Sequence, residues 1–150
     1  MFFYQSALKQ LELQMSIIKE EFKLMYNYDL IDHIDTRIKE PKSIIKKMEK
    51  KKYQKTYLNL IEKVNDIAGM RIVCTLKDDI FFIKDLVKQI PDIHILKEKD
   101  YVTNPKPSGY SSYHMIVEIP VKLSQNTIYV KCEIQIRTLA MDFWASLEHD

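Results

Sequence analysis

Apolar residues recur at alternating spacings of three and four positions at the start of the chain. This spacing places them on one side of a helix, so it predicts an amphipathic helix over roughly residues 3 to 27. The residues that carry the pattern are Leu8, Leu11, Met15, Ile18, Phe22 and Met25. The pattern leaves open whether this helix packs on its own domain or pairs with another copy of the chain.

Shorter segments further along alternate between apolar and polar residues, which is typical of strands with one buried face. Such strands are predicted over about residues 33–39, 70–75, 93–99, 113–120 and 127–137. Further helices are predicted over about 41–52, 57–65, 79–89 and 139–149, and a loop over 100–112. Five strands and five helices, with the helices mainly at the ends, predict an α+β or mixed-sheet α/β domain.

The last predicted strand has a polar face that folding alone does not explain. Its apolar face consists of the even positions from Ile128 to Ile136. Its opposite face carries Lys131, Glu133, Gln135 and Arg137. A half-buried strand rarely requires an anion, an amide and two cations in one row merely to stay soluble, so this row predicts a functional site.

Length and composition bound the molecule. A chain of 150 residues with 46% hydrophobic content is expected to form one domain, whose first 30 or so residues hold the N-terminal helix. The longest apolar runs are too short to span a bilayer, and no secretory leader is evident. Cys74 and Cys132 lie among alternating apolar residues, which predicts two buried, reduced thiols and a cytoplasmic location.

Positive charge is concentrated in one segment, although the net charge is only +2. From Arg37 to Lys55, nine basic residues stand against two acidic ones, an excess of seven that suggests a polyanionic partner. A solvated lysine-rich helix is the simpler explanation of this run taken alone. Ser43, Lys47 and Lys50 share one face of the predicted helix, however, and that face suits a phosphate chain.

Glycine content excludes two common nucleotide-binding motifs. The chain has only two glycines, Gly69 and Gly109, so neither GxGxxG nor GxxxxGK[ST] can be written with them. If the protein binds nucleotides, side chains must hold the phosphates.

Four residues have types that nucleotide chemistry uses. Asp66 and Glu133, on separate strands, are able to hold Mg²⁺, although an ordinary solvated or salt-bridged acid is the default for any single carboxylate. Tyr110, in the proline-bounded loop, is suited to stacking on a nucleobase or to covering the core. His114 is suited to a phosphate contact or to an ordinary surface position.

Several of these segments occur together in an order known from one protein family. They are Arg37-Ile38-Lys39 with Ser43 and Lys47, Asn65 to Arg71, Lys106 to His114, and Glu133 to Glu148. Together they resemble the synthetase domain of the RelA/SpoT alarmone synthetases, especially the small single-domain members. The resemblance implies a nucleotidyltransferase-like fold around a mixed five-stranded sheet. It also implies a GTP pyrophosphokinase, which transfers pyrophosphate from ATP to the 3′-hydroxyl of GDP or GTP and so produces ppGpp or pppGpp and AMP.

By position, the resemblance assigns residues to the donor nucleotide and to the metal. Arg37 and Arg71 would flank the adenine of ATP. The residues assigned to the ATP phosphates are Lys39, Ser43, Lys47 and Lys50. Asp66 and Glu133 would bind Mg²⁺, and Glu133 is also the candidate that activates the attacking hydroxyl.

The resemblance assigns the remaining residues to the binding of the acceptor nucleotide. Tyr110 would stack on guanine, and Lys106 and His114 would contact the acceptor phosphates. Gln135 and Arg137 would line the acceptor side. The resemblance further implies a homotetramer.

Three departures from the family pattern bear on these expectations. Ser111 stands where the family often has arginine, which removes one phosphate contact from the acceptor site. Lys50 replaces an arginine and loses its planar fork. Small family members usually continue with further helices, so a chain truncated after residue 150 is expected. Two alternatives stay open: a toxin-type relative that pyrophosphorylates the 3′ end of tRNA, and a catalytically weak nucleotide- or RNA-binding module.

Overall fold

The computed structural model describes residues 1–148 as five helices and five strands. In chain order they are α1 (Phe2–Tyr26), β1 (His33–Ile38), α2 (Pro41–Lys50), α3 (Tyr57–Lys63), β2 (Ala68–Cys74), α4 (Lys77–Lys88), β3 (His94–Asp100), β4 (Tyr113–Lys122), β5 (Thr127–Thr138) and α5 (Leu139–Glu148). Each predicted element is present within a few residues of its expected bounds. The predicted end of the last helix, at His149, lies outside the described residues.

All five strands form one mixed sheet in the order β1-β2-β5-β4-β3. The pair β2–β5 is parallel, and the other three neighbouring pairs are antiparallel. This arrangement confirms the predicted mixed five-stranded sheet. It also places β5, with its polar row, at the centre of the sheet, where both neighbours contribute side chains to the same face.

One face of the sheet is covered by helices. Helix α1 contacts four strands, and α4 contacts β2 and β5. Leu11 and Met15 of α1 and Ile83 of α4 are almost completely buried and join the apolar residues of β5 in a single core. The question that the sequence left open about α1 is therefore answered, because its apolar side packs on the sheet of its own domain.

The other face of the sheet is polar and open. Gly69 on β2 pairs with Arg37 on β1 and with Glu133 on β5. One pleat further along, Arg71 pairs with Gln135. Since side chains on paired residues point to the same side of a sheet, residues from three separate segments of the sequence meet on this face.

Apolar spacing overestimates burial at the helix ends. Met25, at the end of α1, is 66% exposed, whereas Ile18, two turns earlier on the same side of the helix, is buried. In α5, Phe143 and Leu147 are also largely exposed, and the buried residue is Ala145. Spacing identifies a helix but does not say how much of its length is covered.

Both cysteines are buried, as predicted, and neither is paired. Cys74 lies at the C-terminal end of β2, whereas Cys132 pairs with Ala68 at the opposite end of that strand. Burial raises the pKa of each thiol to about 12, so both stay protonated at neutral pH. None of the helices in residues 1–148 is long and apolar enough to cross a membrane.

Candidate active site

Asp66 is held by two lysines that come from different parts of the chain. Lys39, just after β1, donates to Asp66 Oδ2 at 2.9 Å, and Lys47 of α2 donates to Oδ1 at 2.6 Å. Burial alone would raise the pKa of Asp66, but the hydrogen bonds and charges of the two lysines outweigh it and hold the pKa below its ordinary value. Asp66 is therefore a carboxylate at neutral pH, with two cations already directed at the same point.

The polar row of β5 forms a continuous chain of hydrogen bonds. Gln135 Nε2 donates to Glu133 Oε1 at 2.7 Å, and Arg137 Nη2 donates to Gln135 Oε1. Arg137 Nη2 also donates to the hydroxyl of Tyr110 at 3.0 Å, and that hydroxyl lies 2.9 Å from His114 Nε2. These hydrogen bonds connect the Glu133 carboxylate, at the centre of the sheet, to Tyr110 in the loop between β3 and β4.

The protonation state of His114 follows from its neighbours. Burial lowers the pKa of His114 from 6.5 to about 4, and the charges of Arg137 and Lys106 act in the same direction. Arginine can only donate, so the Tyr110 oxygen accepts from Arg137 and its own proton is free to go to an unprotonated Nε2. His114 is thus neutral at pH 7, and any contact that it makes with a phosphate is a hydrogen bond rather than a charge pair.

The Arg137 guanidinium is the most deeply buried cation of the site. It is 3% exposed, and burial lowers its pKa. The Tyr110 oxygen and the Asp142 carboxylate have the opposite effect and raise the pKa. Its Nη1 lies 3.5 Å from Asp142 Oδ1 in the first turn of α5, and Arg71 Nη1 lies 3.4 Å from the same oxygen. One carboxylate therefore stands between an arginine of β2 and an arginine of β5.

The loop between β3 and β4 brings Tyr110 over this face. Gly109 N donates to Lys106 O at 2.8 Å, and Lys106 N donates to Tyr110 O at 3.0 Å, which closes a tight turn. Gly109 has a φ of 91°, a conformation that L side chains rarely adopt. The Tyr110 ring is half-buried, with Lys106 Nζ 5.3 Å and Arg137 Cζ 5.4 Å from its centroid. A base that stacks on this ring would meet a surface already flanked by cations.

Two clefts run along the polar face. The first has a volume of about 430 Å³, and Asp66, Glu133, Lys106 and His114 line it together with Lys47, Lys51, Tyr53, Lys63, Asn65, Lys97, Lys99, Tyr101 and Ile116. The second has a volume of about 510 Å³ and is lined by Arg37, Arg71, Tyr110, Gln135, Arg137, Asp142, Ala145 and Ser146. A smaller cavity of about 130 Å³, which Asp66, Glu133, Arg37 and Arg71 all line, lies between the residues of the two clefts.

Eleven of the thirteen residues predicted for the site line these cavities or contact residues that do. The two exceptions are Ser43 and Lys50, which are exposed on α2 and line none of the three cavities. Lys47, one helical turn from Ser43, reaches Asp66 because it lies on the side of α2 that turns toward the sheet. Sequence spacing defined the lysine face of the helix but not the part of it that faces the cavity.

Several residues of the site were not predicted. Lys97 and Lys99 of β3 line the first cleft, and Asp142 joins the two arginines in the second. A bulge between Ile95 and Lys97 shifts the register of β3, so that Lys97 pairs with Ile116 and Lys99 with His114. Without strand pairing, the alternation of charged residues in β3 looks like an ordinary solvated edge.

The site can be classed by its chemistry. An open sheet face that carries two carboxylates among lysines and arginines, with an aromatic loop beside it, is suited to phosphorylated substrates that bind in two adjoining clefts. No covalent nucleophile is needed for chemistry of this kind, since phosphoryl transfer depends mainly on positioning and charge neutralisation. The arrangement is therefore that of a phosphoryl-transfer enzyme.

Comparison with known proteins specifies the family. Residues 36–150 match the family described as "Region found in RelA / SpoT proteins", and the chain belongs to this RelA/SpoT family. It is 46% identical over 146 residues to the GTP pyrophosphokinase YwaC of Bacillus subtilis, a match that covers 97% of this chain and 70% of the relative. The GTP pyrophosphokinase YjbM of the same organism is 36% identical over 146 residues, with 97% and 68% covered.

Solved structures agree with this assignment. The small alarmone synthetase 1 of Bacillus subtilis bound to its product pppGpp superposes with a TM-score of 0.88 at 36% identity, covering 97% of this chain and 74% of that one. The small alarmone synthetase 2 of the same organism superposes with a TM-score of 0.86 at 45% identity, covering 99% and 75%. The expected nucleotidyltransferase-like synthetase fold is confirmed.

Proposed function

We infer that this protein is a GTP pyrophosphokinase, which transfers the pyrophosphoryl group of ATP to the 3′-hydroxyl of GDP or GTP. The products are ppGpp or pppGpp and AMP. The observation that carries this inference is the match of 97% of the chain, at 36% identity, to a synthetase bound to pppGpp. The polar face of the sheet supports the inference, because its cations and two carboxylates are the groups that such a transfer uses.

The donor nucleotide is proposed to bind where α2, β1 and β2 meet. Arg37 and Arg71 line the same cleft and present guanidinium planes suited to flank an adenine. Lys39 and Lys47, whose ammonium groups converge on Asp66, are suited to hold the phosphates. When ATP binds, its phosphate oxygens would compete with Asp66 for the two lysines. The Asp66 carboxylate would then be available to a metal ion.

The acceptor nucleotide is proposed to bind between Glu133 and the loop that carries Tyr110. Tyr110 would stack on guanine, with Lys106 and His114 toward the acceptor phosphates. In the transfer, the 3′-oxygen forms a bond to the β-phosphorus of ATP, and the bond from that phosphorus to the oxygen bridging the α-phosphate breaks. AMP leaves, and the hydroxyl proton passes to the carboxylate of Glu133, whose orientation Gln135 maintains by its 2.7 Å hydrogen bond.

The two carboxylates fit Mg²⁺. Within residues 1–148 there is no group of three or more His, Cys, Asp or Glu side chains that could enclose a metal. Mg²⁺ is commonly held by one or two carboxylates and completes its coordination with water and phosphate oxygens, which matches Asp66 and Glu133 lining one cleft. When bound, the ion would neutralise charge on the transferred group.

The acceptor decides between this function and the alternatives. The protein is incubated with Mg²⁺ and ATP labelled in the γ-phosphate, together with GDP, GTP or tRNA in separate reactions. Label in a guanosine tetra- or pentaphosphate is the expected result. Label in tRNA would instead indicate the toxin-type activity, and the absence of transfer to all three would leave a nucleotide- or RNA-binding module. A homotetramer stays a prediction of the resemblance, and a cytoplasmic location stays a prediction from the two reduced cysteines.

A further inference from the structure

The loop between β3 and β4, residues 101–112, carries Lys106 and Tyr110 and is called the acceptor loop from here on. Its tip contacts a tryptophan of α5. The backbone of Gly109 approaches the ring of Trp144 so closely that a Cβ at position 109 would lie 3.1 Å from Cζ2 and 3.4 Å from Cη2. The distance of 3.1 Å is tighter than ordinary van der Waals contact, so a side chain at position 109 would require the ring to shift by a few tenths of an ångström.

The loop's other side-chain contacts involve residues on either side of Gly109. Thr103 donates to Asp100, Lys106 lies over the Tyr101 ring, and the Tyr110 hydroxyl is bonded to Arg137 and His114. Residues 103–109 are all exposed. The two ends of the loop are joined by a hydrogen bond in which Tyr101 N donates to Ser112 O at 3.0 Å. The turn from Lys106 to Tyr110 is closed by its own backbone hydrogen bonds, which fix its shape. Its place on the sheet face depends on the Tyr110 hydroxyl at one end and on the contact of Gly109 with Trp144. Trp144 contacts this turn from another element of the fold.

Helix α5, which carries Trp144, is held in position by its contacts with the sheet. Met141 N donates to Thr138 Oγ1 at 3.2 Å at the start of the helix, Asp142 lies against Arg71 and Arg137, and Ala145 is buried. The helix is thus tied to β5 and β2, the two strands that carry Glu133 and the donor-side arginine. Through Trp144, the tip of the loop contacts an element whose position relative to β5 and β2 is fixed.

We propose that Trp144 is a positioning residue that seats the acceptor loop, and so places Tyr110 and Lys106 for the acceptor nucleotide. This inference rests on the proposed function. It predicts that loss of the indole affects the acceptor much more than ATP, because the residues assigned to the donor are held by β1, β2 and α2 rather than by the loop. The acceptor would then have to order the loop itself, at a cost in its own binding free energy.

The kinetic test separates the two substrates. Trp144→Ala is expected to raise the KM for GDP or GTP about tenfold, while the KM for ATP and kcat change by less than about twofold. Trp144→Phe keeps a smaller ring against the glycine and should restore part of the loss. Phe143→Ala is the matched control, since Phe143 is the neighbouring aromatic residue of α5 and is 67% exposed.

A second readout uses the fact that Trp144 is the only tryptophan of the chain. Titration of the wild-type protein with GDP alone should change its tryptophan emission, and the non-hydrolysable analogue AMPCPP should change it much less. A purely structural role would not produce this selectivity. Because emission does not depend on turnover, it reports on the loop even in variants that fail to transfer.

The outcomes are distinguishable. If wild-type protein forms no labelled guanosine product, the proposed function fails. If wild-type protein is active but Trp144→Ala behaves like Phe143→Ala, or raises both KM values equally, the positioning role is refuted. Unchanged emission on saturation with GDP in an active protein would also refute it.

Discussion

Mild acid should destabilise this protein through one histidine. His114 has a pKa near 4 when folded and near 6.5 when unfolded, because partial burial and the charges of Arg137 and Lys106 all disfavour its protonated form. Between these two values the unfolded chain binds more protons than the folded one, and stability therefore falls as the pH is lowered through this range. Below about pH 4 both states are protonated and this contribution becomes constant.

The size of the effect follows from the same two values. At pH 5, a folded pKa of about 4 and an unfolded pKa of 6.5 correspond to a loss of at most about 2 kcal/mol relative to neutral pH. The ring is partly exposed, and solvent screening is expected to reduce this loss to about 1 kcal/mol. Charge on His114 would also oblige the Tyr110 hydroxyl to give up its hydrogen bond to Nε2.

Urea unfolding followed by circular dichroism at pH 7.5 and at pH 5 measures this loss. His114→Gln is the matched variant, since its amide oxygen is able to accept from Tyr110 but cannot be protonated in this range. The wild-type free energy of unfolding should fall more than that of His114→Gln by about 1 kcal/mol. Parallel pH dependence in the two proteins would refute the assignment of a neutral His114 with a lowered pKa.

Three further changes test other parts of the account. Tyr110→Phe keeps the ring but removes the hydroxyl that joins Arg137 to His114, and it should raise the KM for GDP or GTP about threefold to tenfold with little change in the KM for ATP; an equal rise in both would contradict the acceptor assignment. Lys47→Met removes one of two cations from Asp66 and should raise the KM for ATP at least tenfold in the same assay, and an unchanged value would exclude a phosphate role. Met15→Ala should lower the free energy of unfolding in urea by about 2–5 kcal/mol, because this side chain is fully buried; a loss below about 1 kcal/mol would mean that α1 is not part of the core.

Hydrophobic periodicity predicted the elements of this fold because each has an amphipathic pattern of its own. The alternation in β5 predicted both the strand and the face on which Glu133, Gln135 and Arg137 lie. That prediction needed no tertiary information, since successive side chains of a strand point to opposite faces. The order of the strands was not predictable in this way, because pairing between distant segments leaves no local pattern.

Details of the site that depend on docking were missed for the same reason. The spacing of Ser43, Lys47 and Lys50 defines one helix face, but how α2 lies on the sheet decides that Lys47 reaches Asp66. Lys97 enters the cleft only because of a bulge in β3. The contact between Gly109 and Trp144 joins residues 35 positions apart in sequence, and only the folded chain brings them together.

Glu133 is proposed to act at the reaction centre between two bound nucleotides, and the variant Glu133→Gln isolates that role. The substituted amide keeps an oxygen that can accept the hydrogen bond from Gln135, so the chain of contacts to Arg137 and Tyr110 is preserved while the negative charge is lost. Transfer of labelled pyrophosphate to GDP or GTP should fall at least a hundredfold, with the affinity for AMPCPP, measured by calorimetry, within about threefold of the wild-type value. Near-normal turnover by this variant would mean that the Glu133 carboxylate neither accepts the hydroxyl proton nor binds a metal that the transfer requires.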